Sequence, residues 1–278
     1  MGTRVMDKYL TLDGLKTRYL EQGQGAPVVL LHGAAPGTSA EVWEPNMGPL
    51  ASRGLRVLAP DLPGWGITDA PANHSPAYRR DHVLRFMDAL GIGKATLVGH
   101  SMAGGIVTQL AFSKPDRVER IVILGTGTLL PPLGEKPASA PTHNATHEPT
   151  LDDVRAELEA NAFDHSRITP EVVKRRHELA IGKNFQSLVA RESLPAGGGE
   201  GTPVWERLDQ IPVPALFVYG REDRGNAAQR AELALQRFPH LNLHILDGCR
   251  HMVQWDKSAE VNEMVANFVL EATPAGAR

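Results

Sequence analysis

The stretch Thr96-Leu97-Val98-Gly99-His100-Ser101-Met102-Ala103-Gly104-Gly105 constrains the fold of this chain more than any other. An apolar strand pattern runs straight into a turn of small residues with Ser101 at its apex, and a helical pattern opens at Ile106-Val107. A strand-to-helix turn this tight lifts a serine hydroxyl clear of a sheet, which is the geometry of a nucleophile elbow. Gly99 removes a β-carbon where the turn is tightest, and Gly104 and Gly105 are expected to let the helix pack close beneath it. The usual spacing is Gly-x-Ser-x-Gly, but Ala103 stands in the fifth place, so the motif needs support from the rest of the chain.

That support begins with rhythm. Residues 8–20 read as a hairpin around Asp13-Gly14, 28–31 as a short, continuously apolar strand, and 55–59, 95–98 and 118–124 as further strands. Residues 79–90 form an amphipathic helix with Val83, Phe86, Met87 and Leu90 on one face. Strands alternating with helices predict βαβ units and a mostly parallel sheet. From Thr126 to Pro149 the chain turns rich in Pro, Thr and Ala, and helices are predicted over 151–163, 170–181 and 184–192. A glycine-rich joint at 195–201 precedes two more strands, 215–219 and 241–246, and a last helix over 260–270. The expected organisation is an α/β core (1–127 and 204–278), helices on both faces of its sheet, interrupted by a helical cap (128–203).

Composition excludes several classes. With 42% apolar and 22% charged residues over 278 positions the chain can bury a full core. A net charge of −3 favours neither nucleic acid nor an anionic membrane as partner. No apolar run reaches the roughly 18–20 residues of a membrane span. Residues 1–24 lack the continuous apolar core of a signal peptide, and Cys249 is the single cysteine, so a cytoplasmic setting is expected. No His/Cys/Asp cluster has metal-ligand spacing, and no cofactor is expected. The expected partner is a small-molecule substrate; a homo-oligomer is left open.

A serine at an elbow needs a base and a group that orients the base, both beyond the C-terminal ends of neighbouring strands. Two segments meet that condition in the order Ser, Asp, His. After the strand at 215–219 come Glu222 and Asp223; Asp223 is the candidate orienting carboxylate and Glu222 the runner-up, since adjacent side chains diverge. After the strand at 241–246 comes His251; of the 11 histidines only His100 and His251 lie where such chemistry can use them. An oxyanion needs two backbone N–H donors. Met102, at the start of the helix after Ser101, supplies one, and Ala34, in the small-residue loop His32-Gly33-Ala34-Ala35-Pro36-Gly37, the other.

With these residues in place the sequence resembles the α/β-hydrolase fold family over nearly its whole length. The shared signals are the His32-Gly33 loop, Asp61-Leu62-Pro63-Gly64-Trp65-Gly66, the elbow, Gly220 to Asp223, and His251. Within that family it looks most like the meta-cleavage-product hydrolases, which hydrolyse a carbon–carbon bond in ring-opened 2-hydroxy-6-oxodienoates. The similar pieces include Ser101-Met102 with two following glycines, Gly220-Arg221-Glu222-Asp223-Arg224 and His251-Met252-Val253-Gln254-Trp255. In the similar cap segment, Ile168 to Arg176, the family uses an arginine to hold the substrate carboxylate. Helical geometry independently sets Arg176 on the apolar arc of Val172, Val173, Leu179 and Ala180, where a charge needs a partner. The chain departs from the pattern at His100, where those hydrolases have asparagine, at Trp43, near another polar contact, and at Arg250, which replaces a glycine. Gly225 stands where a bulky pocket residue is usual.

The resemblance implies a cofactor-free serine hydrolase with Ser101, His251 and Asp223 as triad, Ala34 and Met102 as oxyanion donors, and Arg176, His100, Trp43, Met252 and Trp255 as substrate contacts. Helix packing explains Met252 and Trp255 equally well. A carboxylesterase or lactonase on the same fold is the alternative reading. A ligand-binding protein with a slow triad, or an interaction protein with a vestigial serine, stands behind both.

Overall fold

The structure, a computed structural model, describes residues 5–134, 146–194 and 202–271; the glycine-rich joint predicted at 195–201 lies outside them. In chain order the elements are β1 (Met6–Leu12), β2 (Leu15–Gln22), β3 (Ala26–Leu31), α1 (Glu44–Ser52), β4 (Leu55–Pro60), α2 (Pro76–Ala89), β5 (Ala95–His100), α3 (Met102–Ser113) and β6 (Val118–Leu124). Three helices follow, α4 (Leu151–Asn161), α5 (Pro170–Glu178) and α6 (Lys183–Glu192). The chain then returns to the sheet through β7 (Ala215–Gly220), α7 (Ala227–Arg237), β8 (Asn242–Leu246), α8 (Val253–Asp256) and α9 (Ser258–Leu270).

Eight strands form one sheet in the order β1-β2-β4-β3-β5-β6-β7-β8, antiparallel only at β1, β2 and the β2–β4 pair. Alternation along β3 shows how the strands divide the core. Val29 and Leu31 face a cluster with Val83, Phe86 and Met87 of α2, Val107 and Leu110 of α3, and Ala231 of α7. Val28 and Leu30 face the other, with Met47 and Leu50 of α1 and Val261 and Val265 of α9. Each fully buried apolar side chain of this kind contributes about 1.5–3 kcal/mol, so strand register is set by both layers at once.

Three predicted helices shift at their ends for local reasons. α2 starts at Pro76 rather than 79, because Ser75 Oγ accepts the Tyr78 N–H and Pro76 occupies the first turn without needing a donor. α4 stops at Asn161, since the Asp256 carboxylate draws away the N–H groups of Phe163 and Asp164. α5 ends at Glu178, and Asn184 Nδ2 donates to the free Leu179 carbonyl across the turn into α6. A latch ties α5 to the core, where Arg175 grips the Glu41 carboxylate at 2.7 and 3.1 Å while Arg18 approaches it at 3.2 Å. Among the described residues no helix is long and apolar enough to cross a membrane.

Two buried histidines set an acid limit. His32 Nδ1 donates to the Gly33 carbonyl and Nε2 accepts the Leu62 N–H, so the neutral ring satisfies both partners and a second proton would face a donor. Burial pulls the pKa of His32, and likewise of His82 on α2, from 6.5 down to about 4. Below pH 6.5 the unfolded chain therefore binds protons that the folded chain refuses, and stability falls with pH. Each group is expected to remove on the order of 3 kcal/mol between pH 6.5 and 4. Urea unfolding across that range should show the decline, and His32→Gln should flatten it; a pH-independent midpoint would contradict the burial argument.

Candidate active site

Parallel β3, β5 and β6 end within a residue of one another, with Leu31 opposite Gly99 and His100 opposite Leu124, and β7 runs two residues past Val218, the partner of Leu124. The loops beyond them converge on Ser101. That residue holds φ 55° and ψ −119°, a conformation a non-glycine residue keeps only when its surroundings impose it. They do so through three bonds: Ser101 N–H donates to Leu124 O (2.9 Å), while its carbonyl accepts Gly104 N–H (3.0 Å) and Thr126 Oγ–H (2.8 Å). A β-carbon on Gly99 would collide with the Ala103 carbonyl, and one on Gly104 with Thr126 Oγ1. Gly105 meets only open space, so the expectation of close packing there is corrected.

His251 Nε2 lies 3.0 Å from Ser101 Oγ, and its Nδ1 lies 3.1 Å from Asp223 Oδ2. Asp223 follows the end of β7 and is nearly buried; its Oδ1 accepts the Arg224 N–H at 2.7 Å. With Nδ1 donating to Asp223, the network leaves Nε2 free to accept the serine proton. Glu222 is turned away and shapes the loop before His251 by accepting the N–H groups of Cys249 (2.8 Å) and Gly248 (3.3 Å). Here β7 and that loop touch backbone to backbone, because a β-carbon on Gly220 would collide with the carbonyls of Cys249 and Arg250. Gly220→Ala is therefore expected to cost about 1–3 kcal/mol of stability, visible as a lowered denaturation midpoint, and to reduce turnover by displacing His251. Unchanged stability and turnover would show that the loop yields freely.

The Ala34 and Met102 residues both line the space in front of Ser101. Met102 opens α3, where the first N–H groups have no intrahelical acceptor, and no described residue accepts the Ala34 N–H. His100 points the other way along the site. Its Nε2 donates to the His251 carbonyl at 2.9 Å, and the two rings stand 5.0 Å apart. Burial, and then the neighbouring His251, hold His100 well below its ordinary pKa, so it serves as a neutral brace that lines the cavity.

The cavity has a volume of about 670 Å³. Arg176 and Met252 line it as the sequence predicts. Arg176 Nε donates to Pro36 O at 3.0 Å, and its Nη2 stands 3.5 Å from Glu157. Burial lowers the Arg176 pKa while Glu157 opposes that shift. Two predicted contacts are corrected. Trp43 is 1% exposed and packs in the core with Met47 and Leu50, while its neighbour Val42 lines the cavity. Trp255, on α8, is half-buried against the same core layer rather than in the cavity, and donates its Nε1–H to Val42 O at 3.0 Å. Residues that sequence reasoning did not single out also line the cavity: Thr38, Thr126, Glu157, Asn161, Arg224 and Arg230. Asn161 joins α4 to both loops, since its carbonyl accepts the Met252 N–H and its Oδ1 accepts from Arg224 Nη1 at 2.6 Å. Arg250, the residue replacing a glycine, ties the same loop to α4 through Glu159 O at 2.9 Å. Among the described residues no group of three His, Cys, Asp or Glu could hold a metal ion.

Comparison with known proteins agrees with this arrangement. The α/β hydrolase fold family profile matches residues 26–258. A 2-hydroxy-6-oxononadienedioate/2-hydroxy-6-oxononatrienedioate hydrolase of Burkholderia vietnamiensis is 32% identical, covering 92% of this chain and 91% of its own. A meta-cleavage product hydrolase from Pseudomonas fluorescens IP01, solved with acetates, superposes with a TM-score of 0.79 at 30% identity, over 96% of this chain and 98% of the other. A solved N-acyl homoserine lactone degrading enzyme is 28% identical with a TM-score of 0.72, over 94% and 100% of the two chains. With a shared fold, near-complete coverage and an elbow serine bonded to a histidine, this chain is an enzyme of the α/β-hydrolase fold family and belongs to its meta-cleavage-product hydrolase group.

Proposed function

We propose that the enzyme hydrolyses the carbon–carbon bond next to the 6-oxo group of a ring-opened 2-hydroxy-6-oxodienoate, with Ser101 as nucleophile. The observation that carries this reading is the Asp223–His251–Ser101 chain, bonded at 3.1 and 3.0 Å, opening into a cavity that also holds the buried guanidinium of Arg176. A buried cation there suits a substrate carboxylate, and the names of similar hydrolases point to the same substrate class.

The chemistry balances as follows. The dienol first takes its keto form, moving the 2-hydroxyl proton to carbon 5. Ser101 Oγ then attacks carbon 6 as His251 Nε2 accepts its proton, and the Ala34 and Met102 N–H groups receive the new oxyanion. When the oxyanion collapses, the bond between carbons 5 and 6 breaks, its electrons run through the enone to the 2-oxo oxygen, and that oxygen takes the proton His251 received from Ser101. Neutral again, His251 deprotonates a water that attacks the acyl group, and it then returns that proton to the departing Ser101 Oγ. One substrate and one water give one carboxylic acid and one 2-hydroxydienoate. His100 braces the His251 backbone throughout.

Ester or lactone hydrolysis would use the same serine, base and oxyanion donors, and the similarity to a lactone-degrading enzyme keeps it as the second reading. Parallel kcat/KM measurements on a 2-hydroxy-6-oxodienoate, a p-nitrophenyl ester and an acyl homoserine lactone separate the two. The C–C reading expects the dienoate to lead; a leading ester or lactone overturns it.

A further inference from the structure

Away from the catalytic cavity, three basic side chains gather where the cap meets the core. Helix α6 of the cap lies against residues 61–66, with Asn184 Nδ2 donating to Gly66 O at 2.8 Å. The contact is close: a β-carbon on Gly64 would stand 2.9 Å from Ser187 Oγ and 3.4 Å from Arg191 Nη1. Arg191 reaches from α6 over the Trp65 ring, its guanidinium carbon 3.5 Å from the ring centre, and its Nη1 donates to Gly64 O at 3.3 Å. Arg79 approaches the same ring from α2 at 5.8 Å, and its Nη1 donates to His74 O at 2.7 Å. None of these side chains lines the catalytic cavity.

Those bonds leave donors unspent. Arg79 is 9% exposed, and its Nε is buried without an acceptor. His74 Nδ1 and Ser187 Oγ are likewise buried without a partner. Among the described residues neither arginine has a carboxylate at ion-pair distance. Burial, and then Arg79, hold the Arg191 pKa down to about 9, while Glu192 on the same helix opposes the shift. Burial, then Arg191 and Arg79, lower the His74 pKa, as expected of a ring standing beside both. The indole face offsets part of this charge but gives the buried Nε–H no oxygen to bond. Cations that repel one another in a desolvated seam, with donors to spare, favour an anion. Arg191 and His74 are only half-buried, so the cluster opens to solvent.

The donors also select the anion. Arg79 and His74 belong to the core, Arg191 and Ser187 to the cap. A carboxylate offers two oxygens in one plane, whereas a phosphate group offers at least three in a tetrahedron and can face both sides of a seam at once. We propose that Arg79 and Arg191, with His74 and Ser187, form a phosphate-group site at the cap–core seam whose occupant fastens α6 to the core. The fastened indole adjoins the oxyanion loop, since Trp65 Nε1–H donates to Ala34 O at 3.4 Å.

The test follows melting temperature and calorimetric binding of the whole enzyme in phosphate, glycerol 3-phosphate, malonate and chloride at matched pH and ionic strength. Phosphate at a hundredfold excess over its Kd is expected to raise the melting temperature by about 4–8 °C over chloride. Arg79→Met and Arg191→Met should each abolish that rise. Lysine at either position keeps the charge but loses the fork, and should weaken phosphate binding by about tenfold; this pair decides the matter should the methionine proteins not fold. Arg176→Met, altered in the catalytic cavity, should keep the full rise. An equal rise with glycerol 3-phosphate assigns the site to a phosphate ester, and a rise with inorganic phosphate alone assigns it to the free ion. An arginine that only stacks on Trp65 would, when replaced, lower the starting melting temperature and leave the phosphate increment unchanged, which overturns the site. So does the absence of a phosphate-specific rise, a rise equalled by malonate, undiminished binding in both lysine proteins, or a rise that Arg176→Met removes.

Discussion

Ser101→Ala is expected to reduce turnover by about a millionfold while the protein stays folded, because removing the nucleophile of such a unit costs nearly as much as removing all of it. The backbone bonds that hold residue 101 at φ 55° come from Leu124, Gly104 and Thr126, and none involves the hydroxyl. Alanine therefore leaves the elbow intact, and its melting temperature should match the parent. Residual activity within tenfold of wild type in purified protein would remove Ser101 from the chemistry. Labelling by a fluorophosphonate gives the same answer from the other side, since the parent should react at Ser101 and the variant should not.

Asp223→Asn carries the second large effect, about ten-thousandfold in kcat. The carboxylate accepts at both oxygens, from Arg224 N–H at Oδ1 and from His251 Nδ1–H at Oδ2. An amide has one accepting atom for two donors. If its oxygen stays with Arg224, its NH2 faces His251 Nδ1, and the imidazole must move its proton to Nε2, where it can no longer accept from Ser101. Volume and shape hardly change, so folding should be spared. Equal kcat for the variant and the parent would show that another group orients the histidine. Glu222 is not that group, being bound to the Gly248 and Cys249 N–H groups.

How much of this was legible in the sequence depended on the range of the interaction concerned. The strand at Val118–Leu124 is observed as predicted, because Ile121 to Leu124 form the continuous apolar run of a buried parallel strand. Ser101, Asp223 and His251 were readable because each sits just past a strand whose own pattern marks its end. Cavity-facing and core-facing aromatics were not distinguishable. Trp43 and Val42 are neighbours, and only the packing of α1 against the sheet decides that the indole enters the core. Arg230 gave no signal either, since its partners are carbonyls of residues 127–131, about a hundred positions earlier, and a carbonyl belongs to every residue alike. A usable hint did exist at Gly225, where the missing side chain marked a difference in cavity shape. Arg176 was legible because an arginine on an apolar helical arc is anomalous within its own segment.

Products formed in heavy-oxygen water from a 2-hydroxy-6-oxodienoate put the mechanism to the strictest test. Cleavage between carbons 5 and 6 predicts equimolar carboxylic acid and 2-hydroxydienoate, heavy oxygen in the carboxyl of the acid alone, and no products from Ser101→Ala. A dienoate left intact while a simple ester is consumed, or cleavage that survives the loss of Ser101, would contradict it.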